Sequence, residues 1–120
     1  MVYAARNKVD GKVYVGQTRN LEKRKSRHKS RAQRDERGAF YGAIREHGFQ
    51  AFEWAVLSDT SDQNEMNRQE HESILKFKAN NPQYGYNKNL PWFTVSQEEV
   101  NEAMAAALAG LAERVNNARF

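Results

Sequence analysis

Apolar and polar positions alternate twice near the start of the chain, in Val2-Tyr3-Ala4-Ala5 and again in Lys12-Val13-Tyr14-Val15-Gly16. Alternation sends successive side chains to opposite faces of a sheet, so each run predicts a short strand. Asp10-Gly11 lies between them. That pair favours a tight type I′ turn, because both central residues of such a turn need positive φ. A hairpin is expected, and with Ala4 and Val13 as approximate partners Tyr3 and Tyr14 fall near one another on one face.

After Asn20 the period changes. Leu21, Arg24, His28 and Arg31 are three or four residues apart and share one helical face. Asn20 predicts the N-cap of a helix reaching about Arg37, and Gly38 its end. A second short helix, Ala39 to His47, carries Phe40, Ala43 and Ile44 inward and stops at Gly48. Residues 49–57 predict a strand, with Phe52, Trp54 and Val56 alternating against Ala51, Glu53 and Ala55. Asp62 followed by Glu65 is a capping-box signature for a third helix over 62–79. Residues 80–87 form a turn-rich connection stiffened by Pro82 and reversed at Gly85. Ser96 with Glu99 repeats the capping signature before an alanine-rich helix reaching about Asn117.

The fold class expected from these elements is α+β: a small three-stranded antiparallel sheet flanked by helices, with an extra C-terminal amphipathic helix. Residues 1–90 make one domain, and residues 91–120 a helical extension. The last helix bears an apolar stripe of Val100, Met104, Leu108, Leu111 and Val115, expected to pack on the domain or to pair with a second copy as a homodimer.

Composition narrows the function. A chain of 120 residues suits one domain with its own core. Cysteine is absent, which excludes disulfides and thiolate metal sites. No run is long enough to span a bilayer and the N-terminus lacks a secretory signal, so a soluble, cytoplasmic protein is expected. The net charge is +4 and the pI about 9.5. Roughly two-thirds of the 19 Lys and Arg residues fall in the first fifty positions, an asymmetry that suits an anionic polymer. Lys23, Lys25, Arg27, Lys29, Arg31 and Arg34 are the candidates for backbone phosphate contacts, which give affinity without base specificity.

One carboxylate lies where apolar residues belong. Met66, Ile74 and Phe77 form a stripe on the third helix, and Glu70 sits within it, four residues from each of the first two. A carboxylate on an apolar face needs a cation or a metal as partner. The plain explanation is an ion pair with Arg24 or Arg45. Taken singly, His28 reads as a packing residue, Arg24 as surface, Asn87 as a turn residue and the tyrosines as strand formers.

Together, in order and at these spacings, they resemble the GIY-YIG nuclease family, and especially the catalytic domains of intron-encoded homing endonucleases. The resemblance runs from residue 1 to about 89. It rests on Val2-Tyr3, Lys12-Val13-Tyr14-Val15-Gly16-Gln17-Thr18, Leu21 to Arg24 with His28, Ala43-Ile44 with His47-Gly48 and Phe52, Glu70, and Asn81-Pro82 with Tyr84-Gly85-Tyr86-Asn87. Met1 stands where the first motif has its glycine, and the first tyrosine lies near a terminus, where fraying is expected. Glu70 matches relatives with the longer Asn-Pro loop and Glu72 matches shorter ones. Glu70 is the choice, because it alone lies on the apolar stripe.

The resemblance implies a divalent-metal-dependent DNA endonuclease, using Mg2+ (or Mn2+) and acting on double- or single-stranded DNA. It implies a site of Tyr3, Tyr14, Arg24, His28, Glu70 and Asn87. Glu70 would hold the metal, and Arg24 would offer its donor fork to the phosphate. Tyr3 would be the general base, its pKa lowered by nearby positive charge or by a hydrogen bond to neutral His28. Tyr14 would share that network, and Asn87 would position the Glu70 region or a phosphate. A phage, mobile-element or defence setting suits so small a nuclease. The alternative is an inactive nucleic-acid-binding or assembly module with the same fold.

Overall fold

The computed structural model describes residues 1–117. Its strands are β1 (Val2–Asn7), β2 (Val13–Gln17) and β3 (Phe52–Ser58), and its helices are α1 (Leu21–Gln33), α2 (Ala39–His47), α3 (Gln63–Phe77) and α4 (Gln97–Asn117). The sheet order is β2-β1-β3, with β1 antiparallel to both neighbours. The α+β class and the three-stranded antiparallel sheet expected from the pattern are therefore what the chain forms.

Both sheet faces are covered, because alternate residues on the central strand are apolar on both sides. Ala5 and Phe52 pack with Ala32 of α1 and with Phe40, Ala43 and Ile44 of α2. Val2, Ala4 and Val15 pack on the other face with Met66 and Ile74 of α3. Burial of these side chains is what joins helices to sheet. β1 is thus held from every side, and Tyr3 is fully buried rather than frayed.

The hairpin departs from the expected turn. Gly11 has φ +79°, and Asp10 is not among the positive-φ residues, so the turn is not type I′. A wider loop forms instead, in which Asn7 N–H donates to the Lys12 carbonyl at 2.9 Å and Gly11 N–H to the Asn7 carbonyl at 2.8 Å. The wider loop changes the register: Ala4 pairs with Val15 and Arg6 with Val13. Tyr3 then lies opposite Gly16, and its ring centre is 6.3 Å from that of Tyr14, so the expected proximity survives.

Other boundaries move for local reasons. α1 ends at Gln33, short of Arg37, and Asp35 turns the chain with φ +57°. Phe49–Ala51 is a single 3-10 turn before β3. The register of β1 against β3 shifts between Val2 and Tyr3, leaving Val56 half-exposed while Leu57 packs on the α3 side. α3 starts as expected, with the Asp62 side chain accepting from Glu65 N–H. It stops at Phe77, because Lys78 adopts the left-handed conformation, and Phe77 is exposed rather than inward.

Residues 84–87 extend the sheet beyond β2. Val13 N–H donates to the Tyr84 carbonyl at 3.1 Å, and Tyr86 N–H to the Val13 carbonyl at 3.0 Å. Gly85 is needed there, since a Cβ would come within 2.3 Å of the Ala79 Cα.

α4 is tied at its base by an ion pair between Arg68 and Glu99. Of its apolar stripe, Val100, Met104, Leu108 and Leu111 are exposed. The Val115 side chain lies outside the described residues. No helix among the described residues is long and apolar enough to cross a membrane.

Candidate active site

The site lies where β2, α1, the start of α2 and α3 converge. Tyr3 and Tyr14 point from adjacent strands to the α1 side of the sheet, as period-two alternation requires. Gly16 makes room for Tyr3: a Cβ on Gly16 would sit 2.6 Å from the Tyr3 Oη and 2.7 Å from its Cζ. From α1, His28 reaches over this pair and is 2 % exposed. Its Nε2 lies 2.7 Å from the Tyr3 Oη. Rings surround it, with Phe40 and Tyr14 edge-on and Trp54 stacked at 5.9 Å.

Burial sets the ionisation of this cluster. It lowers the His28 pKa to about 4, assisted by Arg24, Arg31 and Arg27, so the imidazole is neutral at physiological pH. It raises the Tyr3 phenol well above its ordinary value, with the Tyr14 charge adding to the effect. The fall expected for Tyr3 is thus reversed in the protein alone. Arg24 does act in the expected direction, but desolvation outweighs it. Tyr14 is raised as well, again chiefly by burial.

Glu70 sits half-buried on α3 and lines a cavity of about 300 Å³ with Tyr14, Phe40, Tyr41, Asn87 and Lys88. Its Oε2 accepts a 2.7 Å hydrogen bond from the Gln17 amide. Among the described residues no cation lies within ion-pair distance of it. Arg45, one of the two partners considered, instead donates to the Ala32 and Glu36 carbonyls. Desolvation raises the Glu70 pKa, with Gln17 and Arg24 opposing. Glu72 is exposed on the far side of the helix.

Arg24 is half-buried, and its guanidinium makes no hydrogen bond or ion pair with another described residue. It nonetheless influences Tyr3, Tyr14, His28 and Glu70 electrostatically, so it faces all of them. It also lines a groove of about 300 Å³ with Thr18, Arg19, Lys23 and Arg27. A half-buried, unpaired arginine whose charge reaches two phenols and a carboxylate suits an anion.

Asn87 lines the Glu70 cavity and is anchored on β2. Its Oδ1 accepts from Val15 N–H at 2.8 Å and its Nδ2 donates to the Val15 carbonyl at 2.7 Å. One bond at each end of the amide clamps residues 84–87 to β2, and the remaining N–H belongs to a side chain that lines the Glu70 cavity. The six basic candidates also divide. Lys23 and Arg27 share the groove with Arg24. Lys25 and Lys29 lie over the Trp54 and Phe49 rings, and Arg31 pairs with Glu36 at 3.4 Å. Arg34 is exposed.

Sequence reasoning missed three residues. Arg19 was hidden by its position in a loop. Gln17 follows the second strand's glycine, and its alternation with Val15 places it on the α3 side. Tyr41 carried no signal, since an aromatic in the first turn of an amphipathic helix reads as core.

The family model of the GIY-YIG catalytic domain matches residues 1–87. Two solved structures share the fold. One is a glutamate-to-alanine mutant of the catalytic domain of intron endonuclease I-TevI: TM-score 0.69, 23% identity, 78% of this chain and 97% of that chain covered. The other is the catalytic domain of homing endonuclease I-TevI: TM-score 0.64, 23% identity, 73% of this chain and 96% of that chain covered. No curated protein sequence matches. Tyr3, Tyr14, Arg24, His28 and Glu70 all fall within the matched span and converge in the structure, and the chain belongs to the GIY-YIG family of nuclease catalytic domains.

Proposed function

We propose that this protein is a divalent-metal-dependent DNA endonuclease, in which Glu70 holds the metal, Arg24 stabilises the phosphate and Tyr3 accepts the proton of the attacking water. The observation that supports this best is the pairing of an ion-free, half-buried Glu70 with an unpaired Arg24 around the same two phenols.

The donor set suits magnesium or manganese. Among the described residues there is no group of three or more His, Asp or Glu ligands. A single carboxylate fits a hard cation that keeps most of its waters and takes a phosphate oxygen as a further ligand. Gln17 fixes one carboxylate oxygen, and the other makes no hydrogen bond with another described residue. When bound, the cation supplies positive charge to the scissile phosphate, to the leaving oxygen and to Tyr3.

The protein's own residues do the rest. Arg24 donates to the non-bridging oxygens, whose charge grows as the phosphate becomes pentacoordinate. Tyr3 Oη takes the water proton in its phenolate form, which Arg24 favours electrostatically and which a hydrogen bond from His28 stabilises. Tyr14, at the cavity wall, orients the water or the phosphate. Asn87 keeps β2 and the 84–87 segment in register, so it acts on the site through Val15. The strip of Arg19, Lys23 and Arg27 beside Arg24 carries the DNA backbone away from the cut. Residues 1–90 are the catalytic unit, and residues 91–120 are an extension whose exposed stripe is free to meet a second copy.

The test is cleavage of supercoiled plasmid and single-stranded circular DNA with magnesium, comparing wild type, Glu70→Gln and Glu72→Gln. Metal-dependent cleavage by wild type and Glu72→Gln is expected. Glu70→Gln should fall at least about 10²-fold, the scale of an electrostatic group lost from a transition state. Its melting temperature should rise, because the carboxylate it removes is held in its charged form against desolvation. Equal cleavage by wild type and Glu70→Gln would overturn the metal assignment. DNA binding without cleavage by any form would favour the inactive binding module.

A further inference from the structure

We infer that Tyr41, held by Arg31, is a positioning residue that keeps the ring proton of His28 on Nε2 and so makes the imidazole a hydrogen-bond donor to Tyr3. The inference rests on the proposed role of Tyr3 as base. It concerns a residue outside the set expected from the sequence.

Three contacts form a line through the site. Arg31 Nη1 lies 3.4 Å from the Tyr41 Oη. That oxygen lies 3.1 Å from His28 Nδ1, and His28 Nε2 lies 2.7 Å from the Tyr3 Oη. A neutral imidazole has one N–H and one acceptor nitrogen, so the contact at one end of the ring decides the polarity of the other.

Arg31 sets that polarity, because a guanidinium only donates. It occupies a lone pair on the Tyr41 Oη and polarises the phenol, making its O–H a better donor. The Tyr41 proton then points at Nδ1, which must be the bare nitrogen. Nε2 therefore carries the proton and aims it at the Tyr3 Oη. The opposite polarity would direct two donors, from Arg31 and from Nδ1, at one oxygen. It would also turn the Tyr41 proton away from the ring, whereas in the inferred polarity the buried Tyr3 proton turns to its hydrogen-bond partner Tyr14. Glu36, paired with Arg31 at 3.4 Å, keeps the guanidinium in place.

The surroundings keep this line neutral. His28 is faced by Arg24, Arg27 and Arg31 from its own helix, by Tyr3 and Tyr14 from the sheet, and by Tyr41 from α2. No carboxylate contacts it among the described residues, so nothing draws a second proton onto the ring. Tyr3 in turn faces Tyr14, Arg24, Tyr41 and Glu70. A donor on its oxygen stabilises the phenolate over the phenol. The chain Arg31–Tyr41–His28 thus offers Tyr3 a charge-assisted hydrogen bond while the imidazole stays uncharged.

The test is Tyr41→Phe, which deletes only the hydroxyl. Long-range 1H–15N correlation spectra of the His28 ring, taken without DNA near neutral pH, should show the Nε2–H form in wild type. In Tyr41→Phe that form should lose its dominance. Single-turnover cleavage should slow roughly tenfold, a fraction of the 10²–10⁴ that a positioned base contributes. The ascending limb of the pH–rate profile, which follows the Tyr3 phenolate, should move to higher pH, with DNA affinity in calcium unchanged. If Tyr41→Phe does not fold, Arg31→Gln should shift the tautomer in the same direction. An Nδ1–H ring in the wild type, or an unchanged tautomer and rate in the variants, would overturn the inference. Wild type without metal-dependent cleavage would instead sink the nuclease reading, since the spectrum needs no substrate.

Discussion

Titrating His28 should weaken the fold in acid, by an amount that follows from its pKa. The imidazole titrates at 6.5 in its ordinary state and at about 4 in the fold. Its folded pKa is depressed, so the unfolded chain binds the extra proton. The stability this neutral ring supplies is complete above about 6.5 and is lost progressively toward 4. Between pH 7 and pH 5 the unfolded chain's ring becomes almost fully charged while the folded one stays neutral, which costs about 2 kcal/mol. Below both values the loss approaches about 3 kcal/mol, from 1.36 kcal/mol for each unit of difference. Such a loss is a sizeable share of the stability of a domain this small. Urea unfolding at pH 7 and pH 5 reads it directly, with His28→Gln as the reference. The variant lacks the titrating group but keeps His47 and His71, so their contributions cancel. Wild type should lose about 2 kcal/mol more than the variant across that interval. Equal losses in the two proteins would refute the reasoning, and a larger loss in the variant would reverse its sign.

Gly16→Ala places a Cβ 2.6 Å from the Tyr3 Oη, so the ring must move. Overpacking of this kind costs about 1–3 kcal/mol. A shift of about 1 Å at a reacting group slows catalysis on the order of 10²-fold. Thermal melting and single-turnover cleavage measure the two effects, and wild-type cleavage by the variant would show that the Tyr3 position is unimportant. Asn87→Ala removes both hydrogen bonds to the buried Val15 backbone. Leaving those groups unsatisfied should cost about 1–3 kcal/mol in urea unfolding, and a loss near zero would mean that water replaces the amide.

By itself the sequence determined the strands, the helices and most of the side chains that meet at the site. These depend on local rules: alternation over Val2–Ala5 and Val13–Gly16, the caps at Asn20 and Asp62, and the three-and-four spacing that puts Arg24 and His28 on one helical face. Glu70 was legible for the same reason, since a carboxylate on an apolar stripe conflicts with burial unless it has a task. Tertiary structure decided what depends on partners distant in the chain. The hairpin register followed from the width of its loop, and a shift of register decides which residues meet across a sheet. The Asn87 amide is anchored on Val15, 72 residues away, a pairing that no local signal contains. Tyr41 joined the site because α2 packs its first turn against α1, bringing a phenol that reads as core to within 3.1 Å of His28. The ionisation of Tyr3 was decided last. Residue type and nearby cations argue for a lowered pKa, but desolvation is a property of the assembled interior, and in the folded protein it outweighs Arg24.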